Sequence, residues 1–324
     1  MIEQIKEKIE HAKNIAIFGH VNTDGDCVGS MCAFFNLLTR LNKHVEMFLD
    51  CEVPEYLKAV PNADKINITT FNENNFDLLV ALDTSTAKRL GVYGEIFKKF
   101  NNTLLIDHHL SNEKYAKVNL VDGYAAACGE VLTCALENCG YEIDKTTASC
   151  LYASIICDTN NFTTSNTRKE TFNVAGRLID YGAEFTKIIY SVQKVKTYAQ
   201  VKMAGFMAQN VKLKNGFAHL VVKDKDLKNL NADVSDISKF LSLIVDIQGA
   251  KITAIFKQRG RNFYSVSFRS LEEYNVLAIA QKFGGGGHLN AAAFEWYGTL
   301  SALKKQVFSA CAEEIKRVDG NATN

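Results

Sequence analysis

The sequence predicts an α/β protein in which an N-terminal, doubly wound and mainly parallel sheet is joined by a helical connector to a smaller α+β domain. Three observations support this prediction. Short apolar runs, too short for helices, recur at residues 14–19, 77–83 and 103–107. Stretches with helical periodicity alternate with these runs, as they do around a parallel sheet. Beyond residue 210 the strand patterns instead alternate in polarity, which is typical of half-exposed strands.

The elements of the N-terminal part follow one another in an alternating order. An amphipathic helix is predicted at residues 2–13, before a strand that ends at Gly19 and a helix over about 27–42. The other predicted strands lie at 45–49, 77–83, 103–107 and 118–120, and the other predicted helices lie at 128–138, 146–157 and 167–181. This order favours a parallel, doubly wound sheet.

A helical connector separates the two predicted domains. From residue 185 to about 209 the chain is compatible with helix and fairly polar, without a glycine- or proline-rich linker. We therefore place the first domain at residues 1–185, the connector at 186–210 and the second domain at 211–324. The second domain is predicted to have strands at 217–224, 252–258 and 262–270, and helices at 235–247, 276–283 and 300–317.

The composition is that of a globular protein with a small net charge. Of the 324 residues, 47% are hydrophobic and 23% are charged, and the formal net charge is +1. This balance argues against a protein that holds duplex DNA through many phosphate contacts, although a small anionic substrate stays open. No apolar run approaches the roughly 18 residues that span a bilayer, and the charged N-terminus does not resemble a signal peptide.

The cysteines indicate a reduced environment. There are nine of them, they form no CxxC pair, and most lie in apolar periodic segments. An odd number without such pairs predicts reduced core thiols in a cytoplasmic protein. The same pattern gives little support to a structural zinc site.

Acidic and histidine side chains follow three of the predicted strands. The candidates are His20, Asp24 and Asp26 after the first strand, Asp83 after the strand at 77–83, Asp107, His108 and His109 after the strand at 103–107, and Asp158 at the end of an apolar helix. Taken singly, the isolated aspartates are explained as well by turn and N-cap positions. The adjacent histidines are harder to explain, because a structural histidine usually occurs alone.

Together these side chains predict a metal site. In a parallel sheet they would meet outside the carboxyl ends of the strands. So many carboxylates and imidazoles would be costly to leave unpaired, and divalent cations remove that cost. Ligation by aspartate and histidine suits Mn²⁺, with Mg²⁺ or Fe²⁺ as alternatives. The number of ligands favours two ions about 3.5–4 Å apart, an arrangement suited to attack on phosphorus by a metal-bound hydroxide.

The same segments resemble a known family. GHVNTDGDCVGS, VALDTS, LLIDHH and IICDTNNF occur in the order and at the intervals of the four motifs of the DHH phosphoesterases. VSFRS and GGGGHLNAAAF resemble the C-terminal domain that accompanies DHH domains. The resemblance covers nearly the whole chain. Within the family, the chain is most similar to the nanoRNase / pAp phosphatase type, which degrades very short oligonucleotides and the 3′-phosphorylated nucleotide pAp.

The resemblance implies ligands for two metal ions. One ion is assigned to His20, Asp24 and Asp83, and the other to Asp26, Asp83, His108 and Asp158, so that Asp83 bridges them. Asp107 is expected to hold His108 in place. His109 is expected to face the scissile phosphate as a charge stabiliser or proton donor. Thr23 stands where the family often has proline, a departure that removes no ligand.

The resemblance also implies substrate-binding residues in the second domain. They are Arg269, Ser270, Gly284, Gly285, Gly286, Gly287 and His288. Glycines allow a phosphate to approach backbone N–H groups, and a histidine adds a charge-assisted contact. From the residues alone, two alternatives remain: the glycines form a flexible loop, and the arginine is a solvated charge on an edge strand. Ala293 stands where this segment often continues to glycine, which weakens the assignment to a subgroup.

The expected function is metal-dependent hydrolysis of short single-stranded oligonucleotides or small nucleotides such as pApA and pAp. Neither duplex DNA nor a membrane is expected as a partner, and a homodimer is compatible with the sequence. A cyclic di-AMP phosphodiesterase would use the same residues. An inorganic pyrophosphatase or exopolyphosphatase is chemically close, but VSFRS and GGGGH favour nucleotides. A catalytically inactive nucleotide-binding regulator is the remaining alternative, and the presence of every ligand position argues against it.

Overall fold

The computed structural model describes residues 1–68 and 71–321. The chain divides into two compact units, Met1–Val195 and Lys196–Asn324, each with its own six-stranded sheet. The division falls within residues 186–210, where a π-helical turn at Tyr190–Lys194 is followed by an extended Val195 and a new helix. Within the described residues, none of the helices combines the length and apolar character of a membrane span.

The first unit alternates strands and helices as the sequence predicts. Its strands are β1 (Asn14–Phe18), β2 (His44–Phe48), β3 (Ile66–Asn67), β4 (Leu78–Leu82), β5 (Thr103–Asp107) and β6 (Val118–Val121). Its α-helices are α1 (Ile2–His11), α2 (Gly25–Arg40), α3 (Gly94–Lys99), α4 (Cys128–Asn138), α5 (Lys145–Asp158), α6 (Lys169–Asp180) and α7 (Phe185–Ile189). Short 3₁₀ helices at Glu55–Leu57, Ala63–Lys65, Glu73–Asn75 and Ala87–Tyr93 occupy the connections.

The first sheet is parallel and doubly wound, which confirms the predicted fold class. Its strand order is β3-β2-β1-β4-β5-β6. The chain runs outward from β1 to β3 and then returns to β4 on the other side of β1, so the order reverses between β1 and β4. In open α/β sheets, ligands bind outside the carboxyl ends of the strands at such a reversal.

Helices α2 and α5 pack closely over one face of this sheet. Gly29 of α2 permits the approach, because a Cβ there would lie 2.7 Å from the carbonyl oxygen of Cys150 in α5. The opposite face holds an aromatic cluster in which the rings of Phe18 and Phe48 stack with centroids 5.7 Å apart. Burying each such side chain contributes about 1.5–3 kcal/mol. The packing brings the start of α2 and the end of α5 to the same end of the sheet.

Helix α2 begins two residues earlier than the sequence predicts. The Asp24 carboxylate accepts hydrogen bonds from the backbone N–H groups of Asp26 and Cys27, both at 3.1 Å. This N-cap places Gly25 as the first helical residue.

All nine cysteines of the chain are free thiols, as predicted.

The second unit contains a mixed sheet with helices on both faces. Its strands are β7 (Lys212–Lys214), β8 (Phe217–Val222), β9 (Ile252–Gly260), β10 (Phe263–Ser270), β11 (Gly286–His288) and β12 (Ala291–Tyr297). Its helices are α8 (Tyr198–Asn210), α9 (Asp224–Leu230), α10 (Asp236–Lys239), α11 (Ser242–Val245), α12 (Val276–Gln281) and α13 (Leu300–Asn321). The strand order is β11-β12-β10-β9-β8-β7, with β8 and β9 parallel and the other neighbours antiparallel.

The prediction of half-exposed strands is correct for β10 and wrong for β8 and for most of β9. Successive residues of β10 alternate between buried and partly buried, whereas β8 is buried at nearly every position. One face of the sheet packs against a core that includes Leu303 and Val307 of α13. The other face packs against Met203 and Met207 of α8. The single helix predicted at 235–247 is instead the two short helices α10 and α11.

Candidate metal centre

Three adjacent strand ends bring the predicted metal ligands together. Strand β4 pairs in parallel with β1 on one side and with β5 on the other. His20 follows β1, Asp83 follows β4, and His108 follows β5. The first turn of α2 adds Asp26, and Asp158 is the last residue of α5. The sequence therefore predicts this clustering from the strand ends together with the apolar helix that ends at Asp158.

His20 faces two carboxylates with one side of its ring. Its Nε2 lies 3.3 Å from Asp83 Oδ2 and 3.7 Å from Asp24 Oδ2. Its Nδ1 lies 2.9 Å from the backbone carbonyl oxygen of Val21, which can only accept, so Nδ1 carries a proton. Burial acts to lower the pKa of His20, but the two carboxylates raise it to about 10. A histidine held in this way by a carbonyl has the arrangement of a metal ligand.

His108 repeats this arrangement with three carboxylates. Its Nε2 lies 3.5 Å from Asp26 Oδ2, 3.5 Å from Asp83 Oδ1 and 3.7 Å from Asp158 Oδ2. Its Nδ1 lies 3.2 Å from the carbonyl oxygen of Ala125. Burial acts to lower the pKa of His108, and the three acids raise it to about 9.

Asp83 lies between the two histidines and directs one carboxylate oxygen to each. It is only 2% exposed, and its φ of 56° is uncommon for a residue other than glycine. No described group forms a hydrogen bond with its Oδ1. Burial, and then the charge of Asp26, raise the pKa of Asp83 to about 8. Burial and the neighbouring carboxylates therefore outweigh the opposing effect of His20 on this pKa.

Asp26 is buried but held by backbone N–H groups. Cys128 N donates to its Oδ2 at 2.7 Å, and Gly129 N donates to its Oδ1 at 3.2 Å. These are the first residues of α4, where the helix dipole favours an anion. The hydroxyl of Ser154 also donates to Asp26. Burial nevertheless raises the pKa of Asp26.

These donors fit a divalent cation. Three groups of residues each bring their potential ligand atoms within 4.8 Å of one another. The groups are His20 with Cys27 and Asp83, Asp83 with His108 and His109, and Asp26 with His108 and Asp158. A cation would supply the charge that the unpartnered oxygen of Asp83 lacks. Burial, and then Asp26, also raise the pKa of Asp158 to about 6, although the charge of His108 opposes them.

Asp24 and Cys27 are the two nearby residues whose roles differ from a simple ligand assignment. Asp24 caps α2 with its Oδ1, while its Oδ2 faces His20, so the N-cap and ligand hypotheses are compatible. No sequence pattern predicts the position of the Cys27 sulfur beside His20 and Asp83. Burial raises the pKa of the Cys27 thiol well above its usual value, which makes it a poor ligand.

The Asp107 carboxylate, expected to hold His108, accepts a hydrogen bond from the backbone N–H of His108 but does not bond its ring, whose Nδ1 lies against the carbonyl oxygen of Ala125. Asp107 Oδ1 instead lies 2.7 Å from Nδ1 of His109. This hydrogen bond, opposed by burial, raises the pKa of His109. Asn112, which the sequence did not single out, donates its side-chain amide to the other oxygen of Asp107.

In the second unit, Arg269 and His288 lie in one row of the sheet. Both pair with Ala291 of β12, from opposite sides. Directly opposed residues of antiparallel strands share a face, so the two side chains lie on the same face, two strand spacings or about 10 Å apart. The sequence missed Lys257, whose pKa is lowered by burial and then by the positive charges of Arg259 and Arg269. This face is therefore basic.

Structural demands explain part of the glycine segment. A Cβ on Gly285 would lie 2.2 Å from the carbonyl oxygen of Ala293, and one on Gly287 would lie 2.4 Å from that of Ala291. These glycines allow β11 to pair with β12. Gly284 and Gly286 have open space where a Cβ would be, and Gly284 has a positive φ of 76°. Ser270 already donates to the carbonyl oxygen of Tyr274 at 2.7 Å.

The chain is similar to two known domain families and to several known proteins. Residues 14–155 match the DHH family N-terminal domain, and residues 214–316 match the DHHA1 domain. A Thermus thermophilus protein named bifunctional oligoribonuclease and PAP phosphatase NrnA is 28% identical over 94% of this chain and 90% of its own length. The Bacillus subtilis protein of that name is 26% identical over 87% of this chain and 90% of its own length. A crystal structure of an exopolyphosphatase-related protein from Bacteroides fragilis has the same fold, with a TM-score of 0.87 at 22% identity over 98% of this chain and 97% of that one.

Proposed function

We propose a function from one premise, which is that this chain belongs to the DHH family and carries a DHHA1 domain. On that premise the protein is a metal-dependent phosphoesterase. Its substrates are short oligonucleotides, including dinucleotides such as pApA, and pAp, which it hydrolyses to mononucleotides. The names of the Thermus thermophilus and Bacillus subtilis relatives, which join oligoribonuclease and PAP phosphatase, support this class of substrate.

The observation that carries the proposal is the position of Asp83. Its two carboxylate oxygens lie 3.3 Å from Nε2 of His20 and 3.5 Å from Nε2 of His108. In this geometry a single carboxylate can serve two cations, each with its own histidine. Two-metal sites of this kind are typical of enzymes that hydrolyse phosphate esters.

The proposed ligands follow from these contacts. One ion would be held by His20, Asp24 and Asp83, and the other by Asp26, Asp83, His108 and Asp158. Ligation by carboxylate and imidazole favours Mn²⁺ as the cofactor, with Mg²⁺ or Fe²⁺ as alternatives. When bound, the cations neutralise charge on the phosphate and activate water as a nucleophile.

His109 is the proposed proton donor or charge stabiliser. Its Nδ1 forms a hydrogen bond with Asp107, its Nε2 has no partner among the described residues, and its side chain is 32% exposed. The hydrogen bond from His109 to Asp107 raises the pKa of the imidazole and so favours its cationic form. A cationic ring can donate a proton to the leaving oxygen or stabilise charge that develops on the phosphate.

We place substrate recognition in the second unit on the basic face that holds Arg269 and His288. Arg269 can bind a phosphate through the planar guanidinium, and the backbone at Gly286 is open to a close approach. Ser270 is a weaker candidate because its hydroxyl is engaged with Tyr274.

A substrate panel tests the proposal. The purified full chain, with Mn²⁺, is compared by kcat/KM on pAp, pApA, di- to pentanucleotides, cyclic di-AMP and pyrophosphate. We expect turnover of pAp and of the short oligonucleotides. Removal of the metal with a chelator should abolish this turnover. Asp83→Asn should lose this turnover, whereas Asp180→Asn, an equal change at an exposed position of α6, should keep it.

Each alternative has its own result in this panel. Preference for cyclic di-AMP would identify a cyclic dinucleotide phosphodiesterase. Preference for pyrophosphate would identify an inorganic pyrophosphatase instead of an enzyme that acts on nucleotides. The absence of metal-dependent hydrolysis of every substrate would refute the enzymatic proposal and favour a nucleotide-binding regulator.

A further inference from the structure

A lysine-lined cavity of about 360 Å³ lies at the β7–β8 edge of the second sheet. Strand β11, with His288, is at the opposite edge. The cavity also lies on the opposite face from Arg269. His219, which lines it, pairs with Ala254, whereas Arg269 pairs with the preceding residue Thr253. Because successive residues of a strand point to opposite faces, the cavity is separate from the basic face described above.

His219 lines this cavity, and one of its ring nitrogens has no hydrogen-bond partner among the described residues. Its side chain belongs to a residue that is 8% exposed, and its Nδ1 forms no hydrogen bond with any described group. The rings of Phe217 and Phe308 pack against it, with centroids 5.6 and 4.6 Å away. Leaving such a nitrogen unpaired carries a free-energy cost. A polar group of a ligand in the cavity would remove that cost.

Four lysines line the same cavity, namely Lys212, Lys223, Lys225 and Lys304. The pKa of Lys304 is lowered by burial and then by the charges of Lys212 and Lys223, so these ammonium groups lie close to one another. Among the described residues, none of the four forms an ion pair with a carboxylate. Asp226 also lines the cavity, and its Oδ2 accepts from the backbone N–H of Lys223 at 2.9 Å.

We propose that this cavity binds a phosphate-bearing anion, through the lysine ammonium groups and the free ring nitrogen of His219. Lysine is a common ligand of phosphate, as a compact charge with several donors. The volume lies within the range of about 300–1,000 Å³ that small-molecule sites occupy, so it admits a mononucleotide as well as inorganic phosphate. The inference concerns a second site and does not depend on the proposed hydrolysis.

The test observes His219 directly by NMR of the histidine rings in the full chain with Mg²⁺. The chain has seven histidines, and His219→Gln identifies the signal. AMP, inorganic phosphate and adenosine are titrated in parallel. We expect a saturable shift of the His219 signal with AMP and with phosphate and none with adenosine. Equal affinities for AMP and phosphate would show that the phosphate suffices, and tighter binding of AMP would identify a nucleotide site.

A matched pair of variants tests the role of the lysines. Lys304→Ala should raise the Kd about tenfold, which corresponds to 1.4 kcal/mol. Lys305→Ala removes the same charge from the next, exposed residue of α13, which does not line the cavity, and should change the Kd less than about twofold. Equal effects of the two variants, a His219 signal that millimolar phosphate and AMP leave unmoved, or a shift with adenosine would each overturn the proposal.

Discussion

Replacing Asp107 by asparagine tests the contact that separates the role of His109 from that of His108. Asp107 is fully buried, and its Oδ1 lies 2.7 Å from His109 Nδ1. Asparagine keeps the size of the side chain and removes its negative charge. Because the Asp107 carboxylate bonds the ring of His109 and only the backbone N–H of the ligand His108, the metal content should be unchanged while catalysis falls.

The size of the effect follows from the hydrogen bond that is weakened. A hydrogen bond to a charged group contributes about 1.5–3 kcal/mol, which corresponds to a loss of about 10- to 150-fold in kcat. The pH dependence should change as well. Asp107 raises the pKa of His109, so a cationic His109 is present below that pKa and is lost as the pH rises through it. Without Asp107 the pKa falls, and the alkaline limb of the activity profile should move to lower pH.

The assay measures kcat and KM for pAp across pH at saturating Mn²⁺, together with the metal content of each protein. Asp180→Asn serves as the control for loss of one surface carboxylate. If Asp107→Asn loses metal in proportion to activity, then Asp107 acts through the ligands and not through His109. An unchanged alkaline limb would contradict the assignment of His109 as the titrating group.

Five further substitutions test other parts of the site and the fold. Asp83→Asn should weaken both metal ions together and lower activity by orders of magnitude with little effect on folding, as metal analysis and circular dichroism can show. His108→Ala should lower metal occupancy, whereas His109→Ala should keep the metals and lower mainly kcat. Arg269→Ala should cost pAp and dinucleotides about 1–3 kcal/mol in kcat/KM and leave bis-p-nitrophenyl phosphate nearly unchanged, and a uniform loss would indicate a role in folding instead. Asp144→Ala removes the N-cap of α5 and should lower the free energy of unfolding by about 0.5–2 kcal/mol in urea titrations at neutral pH. Burial would raise the pKa of Asp144, but bonds from Thr147 lower it, so this contribution is present above the unfolded-state value and disappears as the pH falls through the lowered one.

The clustering of the site could be predicted from the sequence because strand ends carry spatial information. Once residues 14–19, 77–83 and 103–107 are recognised as parallel strands, the residues that follow them must meet at one edge. Pairing of β4 with both β1 and β5 then brings His20, Asp83 and His108 together. The exact contacts of each side chain do not follow from this rule.

Contacts between particular side chains were predicted less well, for identifiable reasons. The family resemblance implies that Asp107 holds His108, but the ring of His108 is bonded to the carbonyl oxygen of Ala125, and the Asp107 carboxylate bonds the ring of His109 instead. The burial of β8 depends on helices from both ends of the second unit, which its local pattern does not contain. The lysine-lined cavity likewise joins residues from β7, β8, α9 and α13, which no spacing rule connects.

The burial of Asp26 and Asp83 links the proposed activity to the energetics of the fold. Burial raises the pKa of both carboxyls, so each resists ionisation in the folded chain. For an acid whose pKa is raised by folding, stability is lost as the pH rises from the pKa of the unfolded state through that of the folded state. The folded-state pKa is about 8 for Asp83. Apolar residues at such positions often give a more stable protein. A divalent cation must displace the same protons, so its affinity for the site should rise with pH. The carboxylates whose burial destabilises the fold are therefore the groups that would bind the cation.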